Sequence, residues 1–287
     1  MPFAHSQEAP PEVEPARQGR PTLAIAEVIV EPAVAEAAER GGTGQTLDRL
    51  VAALRNALVA RFSDANKFSV VQPLADDDAE GQRPAYEVRV RVDSFQDVEQ
   101  ILQLDARRRT LTRRQIQVGA LLELRDGRSG EVLDTFDDLV ELEGFESRQA
   151  DVDAVGFGLD RGVRDAAGAY AGRALAATLN NAFPARVIDI AGDGLLTINR
   201  GEGTGIAEGD AWTLFRPGDE LVDPDTGESL GASEQPVGSV RIVRVWPRFS
   251  HAVVLEAFED VEAAAPEAGM IVRPTGEFVA GPSASER

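Results

Sequence analysis

Hydrophobic positions fall into two textures that change near Pro184. Before it, runs of alternating and helical period succeed one another. Leu23, Ile25, Val28 and Val30 carry the apolar content of a first strand, Thr22–Val30. A glycine-rich link at 41–44 follows. Leu47, Leu50, Val51, Leu54, Leu58 and Phe62 then recur at three- and four-residue spacing, which predicts an amphipathic helix. Thr43 or Thr46 can cap it. A short strand at 68–71 is stopped by Pro73, and the acidic stretch 75–81 reads as a loop.

Three strands come next. Val88, Val90 and Val92 alternate with Glu87, Arg89, Arg91 and Asp93 over 86–95. Ile116, Val118, Ala120, Leu122 and Leu124 share one face, and the turn 126–130 leads into a strand over 131–143. Alternating strands joined by short turns form an antiparallel meander with one wet face and one core face. A long helix over 154–181 presents Leu159, Val163, Ala167, Tyr170, Ala174 and Thr178 on one stripe. Asp151 or Asp153 can cap it, and Asn180, Asn181 and Pro184 end it.

After Pro184 short strands alternate with turn signals. Strands are expected at 187–190, 195–198, 211–215, 237–245, 251–255 and 270–272. Turns are expected at Asp193-Gly194, 201–205, Gly209-Asp210, 216–219 and 223–227. The fold class is α+β: a mixed sheet with helices on one face over residues 22–183, then a small all-β barrel over 184–274. Residues 1–21 and 275–287 are read as tails, because they carry too little apolar surface to order themselves.

Charge narrows the partners. The net charge is −20. Residues 1–183 carry 31 acids against 21 bases and residues 184–287 carry 18 against 8, so each part is near −10. Such a surface repels phosphate backbones, which excludes nucleic acid as an expected partner, and disfavours anionic lipid. Peripheral membrane association stays open. Cysteine is absent, which removes disulfides, thiolate nucleophiles and a lipid-bearing cysteine from this chain. Lys67 is the only lysine, a pattern attributed to compositional bias. No run of 18 apolar residues exists to predict a membrane-spanning helix. The start, Met1 to Gln7, lacks a basic region and an apolar region. It fits either a cytosolic protein or a mature form whose signal was removed.

The order of elements resembles two envelope families. Leu23-Ala24-Ile25-Ala26, Lys67-Phe68-Ser69-Val70-Val71, and the stretch 117–126 followed by Gly130-Glu131-Val132 resemble the α/β domain of the curli secretion-channel lipoproteins. The same domain occurs in the lipoprotein activators of peptidoglycan synthases. Leu196-Thr197-Ile198-Asn199-Arg200-Gly201, Gly205-Ile206-Ala207-Glu208-Gly209-Asp210, Asp223-Pro224-Asp225-Thr226-Gly227-Glu228 and 238–245 are similar to the C-terminal barrel of the flagellar assembly protein T family. The resemblance implies a periplasmic or extracellular-facing envelope protein, ring-forming or partner-docking, and not an enzyme; the cytoplasm is the alternative compartment. The membrane-spanning hairpins of the curli channel have no counterpart here, because lipid would penalise the arginines at 107–114.

Candidate chemistry is sparse. Arg107, Arg108, Arg109, Arg113 and Arg114 form a basic island in an acidic chain, suited to dock an acidic patch on a partner or on a second copy; the competing reading is a solvated hairpin tip. Trp212, Trp246 and Phe249 either anchor a protein interface or fill the barrel. Asp223, Asp225 and Glu228 fall short of a calcium loop. Gly201-x-Gly203-x-Gly205, Gly41-Gly42-x-Gly44 and Gly156-x-Gly158 lack the context of a phosphate cradle. His5 and His251 have no ligand spacing. No catalytic, cofactor or metal residue is assigned. The expected function is therefore non-enzymatic envelope assembly or scaffolding by docking, in a homo-oligomer. A small-molecule- or glycan-binding module is the alternative, and a carboxylate-based hydrolase a more distant one.

Overall fold

A computed structural model describes residues 19–72, 83–103, 110–148, 157–225, 227, 229–258 and 265–275. In chain order the first elements are β1 (Thr22–Val30), α1 (Pro32–Arg40), α2 (Gly44–Asp64), β2 (Ser69–Val71), β3 (Tyr86–Gln103), β4 (Thr110–Asp126), β5 (Val132–Arg148) and α3 (Phe157–Asn181). The strands form one mixed sheet in the order β2-β1-β3-β4-β5. β1 lies parallel to both β2 and β3, and β3, β4 and β5 run antiparallel in sequence.

The helices cover one face of this sheet. Leu50, Leu54, Leu58 and Phe62 of α2 are fully buried, as are Tyr170, Ala171 and Ala174 of α3. They meet Leu23, Val88, Val90, Val92, Ala120, Leu122 and Leu124 in one core. The alternation on β3 explains the two faces: its valines point to the helices and Arg89 and Arg91 point to water. The small residues Ala166, Ala167, Ala171 and Ala174 let α3 lie close to the sheet. Asp151 and Asp153, the expected caps of α3, and the acidic stretch 75–81 lie outside the described residues.

Three differences from the sequence expectation have simple causes. α1 was not anticipated, because only Val34 and Ala38 of its nine residues join the core. Pro32 starts it, where a missing N–H costs nothing. Thr43 occupies the N-cap position of α2 but makes no side-chain cap; its hydroxyl donates to Ala38 O at 3.3 Å, tying α1 to α2. Strands β3, β4 and β5 are 18, 17 and 17 residues long, longer than their apolar alternation.

The chain then forms β6 (Ala185–Ile190), β7 (Leu196–Ile198), β8 (Ala211–Val222), β9 (Ser229–Val245), β10 (Ser250–Ala257) and β11 (Ile271–Pro274). These close into a barrel in the order β10-β7-β6-β11-β8-β9. Val187, Leu196, Ile198, Trp212, Val240, Ile242, Ala252 and Val272 fill it. The hairpin turn at Asp193-Gly194 is as expected, with Gly194 at φ +84° and Leu195 N donating to Asp193 Oδ1 at 3.2 Å. The expected turn at 216–219 is not a reversal. β8 runs through it with irregular pairing between Pro217 and Glu220, since proline offers no N–H to the ladder. The turn expected at 223–227 is where the chain reverses, with Gly227 N donating to Asp223 O at 2.8 Å and Asp225 N to Asp223 Oδ1 at 2.7 Å.

Candidate functional site

The C-terminus of α3 is where the sheet–helix sandwich and the barrel meet. The last carbonyls of a helix have no partner within it and carry the negative end of its dipole. Arg200, just after β7, answers them. It is only 4% exposed. Its guanidinium donates to Asn180 Oδ1 at 2.7 Å, to Leu179 O at 2.8 Å and to Phe183 O at 2.8 Å. Arg273 of β11 donates to Asn180 O and forks onto Glu234 at 2.7 and 2.6 Å. Two barrel arginines thus hold one helix end.

Two glycines let the barrel loop after β7 close on its neighbours. A Cβ on Gly201 would lie 2.3 Å from Trp246 O and 2.7 Å from Arg248 N, both rigid backbone. Gly203, at φ +75°, sits where a Cβ would be 3.0 Å from Asp64 O at the end of α2. Asn66 follows that end in a left-handed conformation, φ +54°, which asparagine tolerates better than most residues. Its side-chain oxygen accepts from Arg20 at 3.1 Å. This turn delivers Lys67 to the junction.

The result is a cleft of about 600 Å³ between the sandwich and the barrel. Among the described residues its charged lining is Arg20, Lys67, Arg200 and Arg248, with no carboxylate; Leu179, Phe183 and Pro21 supply apolar wall. Burial, followed by the nearby charges of Arg200 and Arg186, holds the Lys67 ammonium below its ordinary range. The cleft is therefore a positively charged, half-apolar concavity in an acidic protein. It can attract and hold an anion.

Trp246, Phe249 and His251 form an aromatic cluster beside the cleft. Trp246 stacks on Phe249 at 4.8 Å between ring centres and meets His251 edge-on at 4.4 Å. Arg244 lies over the Trp246 ring at 4.9 Å. Both Trp246 and Phe249 are half-buried, whereas Trp212 is 2% exposed inside the barrel core. The contact area of Trp212 is thus spent within the barrel, because its indole faces Val240, Leu214 and their neighbours rather than solvent.

Of the arginine island, Arg107, Arg108 and Arg109 lie outside the described residues. Arg113 and Arg114 lie on β4, opposite Gln100 and Glu99 of β3. Arg114 forks onto Asp97, its Nε donating at 2.7 Å, and Glu99 lies 3.7 Å away. Part of the island's charge is answered within the sheet.

These arginines sit on an overhang. Seventeen extended residues span about 55 Å, against about 37 Å for the 25 residues of α3. The core face of β3 ends near Phe95, and Ile101 beyond it is 66% exposed. β3, β4 and β5 therefore continue past the described helices as a three-stranded ribbon. Among the described residues β5 pairs with β4 alone, so its other edge is open.

Sequence reasoning did not find the cleft. Its residues come from 19–21, 65–67, 179–183, 199–204 and 248, and no local motif joins them. Two signals were present: the lone lysine and the 201–205 glycines. Among the described residues no group of three or more His, Asp or Glu is placed to hold a metal ion, Asp223 and Asp225 included. None of the described helices is long and apolar enough to cross a membrane.

The fold thus defines an α+β protein in which a five-stranded mixed sheet precedes a closed six-stranded barrel. No protein-family model matches this chain, and no curated protein matches it. Among solved structures it is similar to a Xanthomonas campestris protein of the DUF330 family, at 12% identity over 59% of this chain and 90% of that chain, TM-score 0.34. It is also similar to a minor lipoprotein from Acinetobacter baumannii, at 13% identity over 57% of this chain and 94% of that one, TM-score 0.27. A third is the PelC dodecamer from Paraburkholderia phytofirmans, at 12% identity over 53% and 84%, TM-score 0.26.

Proposed function

We propose that this chain is a non-enzymatic assembly or scaffold protein of the bacterial cell envelope, periplasmic or extracellular-facing, that works by docking and self-associates through its overhanging ribbon. In this reading residues 22–183 and 184–274 are its two domains, and residues 1–21 and 275–287 are tails. The observation that carries it is the β3–β5 overhang. A sheet that outruns its described helices leaves, among the described residues, no partner on the β5 edge, and such edges recruit further strands. Arg113 and Arg114 place positive charge on this ribbon, while Glu99 of β3 and Glu141 of β5 place negative charge beside it. The two signs suit contact between copies. Trp246 and Phe249 offer a second docking surface on the barrel. The envelope compartment rests on the sequence resemblance to the secretion-channel, synthase-activator and flagellar assembly families.

The test is native mass by light scattering at physiological salt. The full chain is compared with a variant in which residues 99–114 are replaced by Asn-Gly, which closes the β3–β4 hairpin at the body of the sheet, and Asp97 is replaced by Asn so that no carboxylate is stranded by the loss of Arg114. A discrete oligomer for the full chain and a folded monomer for the short one support the proposal. A full chain that stays monomeric at micromolar concentration overturns self-association. A second reading, a small-molecule- or glycan-binding module, is favoured by one observation, the cleft at the junction.

A further inference from the structure

Five arginines elsewhere in this protein are answered by carboxylates. Arg89 pairs with Glu87, Arg114 with Asp97, Arg125 with Glu123, Arg173 with Asp138 and Arg273 with Glu234. The junction cleft differs. Arg20 donates to an amide oxygen of Asn66, and Arg200 donates to the Asn180 amide and two helix carbonyls. Four cations from four stretches of chain share a concavity that no carboxylate among the described residues lines, in a protein with 49 acids and 29 bases.

The cleft is also more than a charged surface. It holds about 600 Å³, inside the range of about 300–1,000 Å³ for small-molecule sites. A bare inorganic anion would fill little of it. Leu179, Phe183 and Pro21 give it an apolar side, opposite in character to Lys67 and Arg248. Its walls are fixed, because Gly201 and Gly203 press the barrel loop against the backbone at 246–248 and at Asp64.

We propose that the junction cleft binds a phosphorylated small molecule, its oxyanion held by Lys67, Arg248 and Arg20 within the field of Arg200, and its organic part against Leu179 and Phe183. Lysine supplies a compact point charge and arginine a planar fork, the pair of donors that phosphate oxygens accept best. Burial first, and then the charges of Arg200 and Arg186, lower the titration of Lys67; a bound dianion would oppose the second of these. The site is independent of the docking ribbon, which lies on β3, β4 and β5.

The lone lysine makes the test direct. Reductive methylation with ¹³C labels Lys67 and the N-terminal amine only, and keeps both charges. The labelled full chain is titrated with inorganic phosphate, glycerol 3-phosphate and phosphatidylglycerol vesicles, with chloride as the ionic-strength control. The expected result is a saturable shift of the Lys67 methyl signal, tighter for glycerol 3-phosphate than for inorganic phosphate, and weakened about tenfold in Arg248→Ala. Thermal stabilisation by glycerol 3-phosphate is expected to disappear in Lys67→Met and to persist in Arg161→Ala, an exposed arginine near the opposite end of α3 from the cleft. Saturation by the soluble probe assigns a free phosphorylated metabolite. A response confined to vesicles assigns the same chemistry on a lipid headgroup. No saturable shift with any of the three probes, or an equal response in Arg248→Ala, overturns the proposal.

Discussion

The Arg200 guanidinium donates to Asn180 Oδ1 at 2.7 Å, joining the barrel to the last turn of α3 through a charge that is 4% exposed. This contact does two things at once. It satisfies Leu179 O and Phe183 O, which the helix leaves open. It also places a fixed positive charge behind Lys67. Arg200→Met is expected to cost about 2–4 kcal/mol, since the buried acceptors lose their donor while the desolvation of the cation is recovered. Urea unfolding followed by tryptophan fluorescence reports the barrel, because Trp212 and Trp246, the only two tryptophans, both lie there. The Lys67 titration should move back up toward its ordinary range in the same variant. An unchanged Lys67 titration would show that Arg200 does not set the field of the cleft.

Gly201 gives a sharper test of the junction. Any side chain there meets Trp246 O at 2.3 Å and the backbone of Pro247 and Arg248 at 2.7 Å. Backbone on that scale cannot step aside, so Gly201→Ala should destabilise by about 2–4 kcal/mol. The loop must also swing away from the 246–248 turn, which carries one wall of the cleft. Loss of stability without any change in the Lys67 signal would separate the loop from the site.

Period and turn chemistry made most of this architecture legible. The apolar stripes of α2 and α3 and the valine alternation of β3 identify the core residues directly, because each buries one face. The barrel strands are framed by turns such as Asp193-Gly194. Three things escaped. α1 has only two core contacts and so no stripe to read. The ends of β3, β4 and β5 run beyond the apolar alternation read from the sequence, so no period marked them. Arg216-Pro217-Gly218-Asp219 has the residues of a turn, yet β8 absorbs it as irregular pairing. The cleft was illegible for a different reason. Its cations lie far apart in sequence, and each alone looks like surface charge. Trp212 illustrates the limit on single residues: nothing local distinguishes an indole that fills a barrel from one that meets a partner.

Tyr170 links α3 to the sheet, its buried hydroxyl donating to Ala120 O at 2.9 Å. Burial, and then Asp138, Asp137 and Asp93, push this phenol well above its ordinary range. The unfolded chain therefore loses the proton first, near pH 10. The contribution of Tyr170 is complete below that pH and declines as pH rises above it. Tyr170→Phe should cost about 1–2 kcal/mol at neutral pH, from the acceptor left bare. It should also flatten the alkaline fall in stability. Melting temperature against pH from 8 to 11 checks this, and a parallel fall in both proteins would refute it.

The Arg114–Asp97 pair sets the rigidity of the ribbon at its root. The Asp97 side chain is 2% exposed and that of Arg114 24%. Arg114→Ala strands a nearly buried carboxylate and should cost about 2–4 kcal/mol. Adding Asp97→Ala to it should recover part of the loss, because the stranded charge goes too. A double-mutant cycle by chemical denaturation measures this coupling. Strict additivity of the two substitutions would mean that the pair holds nothing.

Gly168 and Gly172 separate two places where copies of the chain could meet. Both lie within α3 with no heavy atom in reach of an added Cβ. Within one chain, then, alanine fits at each, and relief of the glycine penalty should stabilise the protein by about 0.5–1 kcal/mol per site. If self-association runs through the β3–β5 ribbon, native mass should be the same in Gly168→Ala/Gly172→Ala as in the parent. If instead two helices pack through these glycines, the added methyls would force them apart and the oligomer would dissociate even as the monomer gained stability. Thermal melts beside light scattering on this variant therefore read the fold and the interface separately. Higher stability with unchanged mass keeps the ribbon as the contact; higher stability with a lower mass moves it to α3.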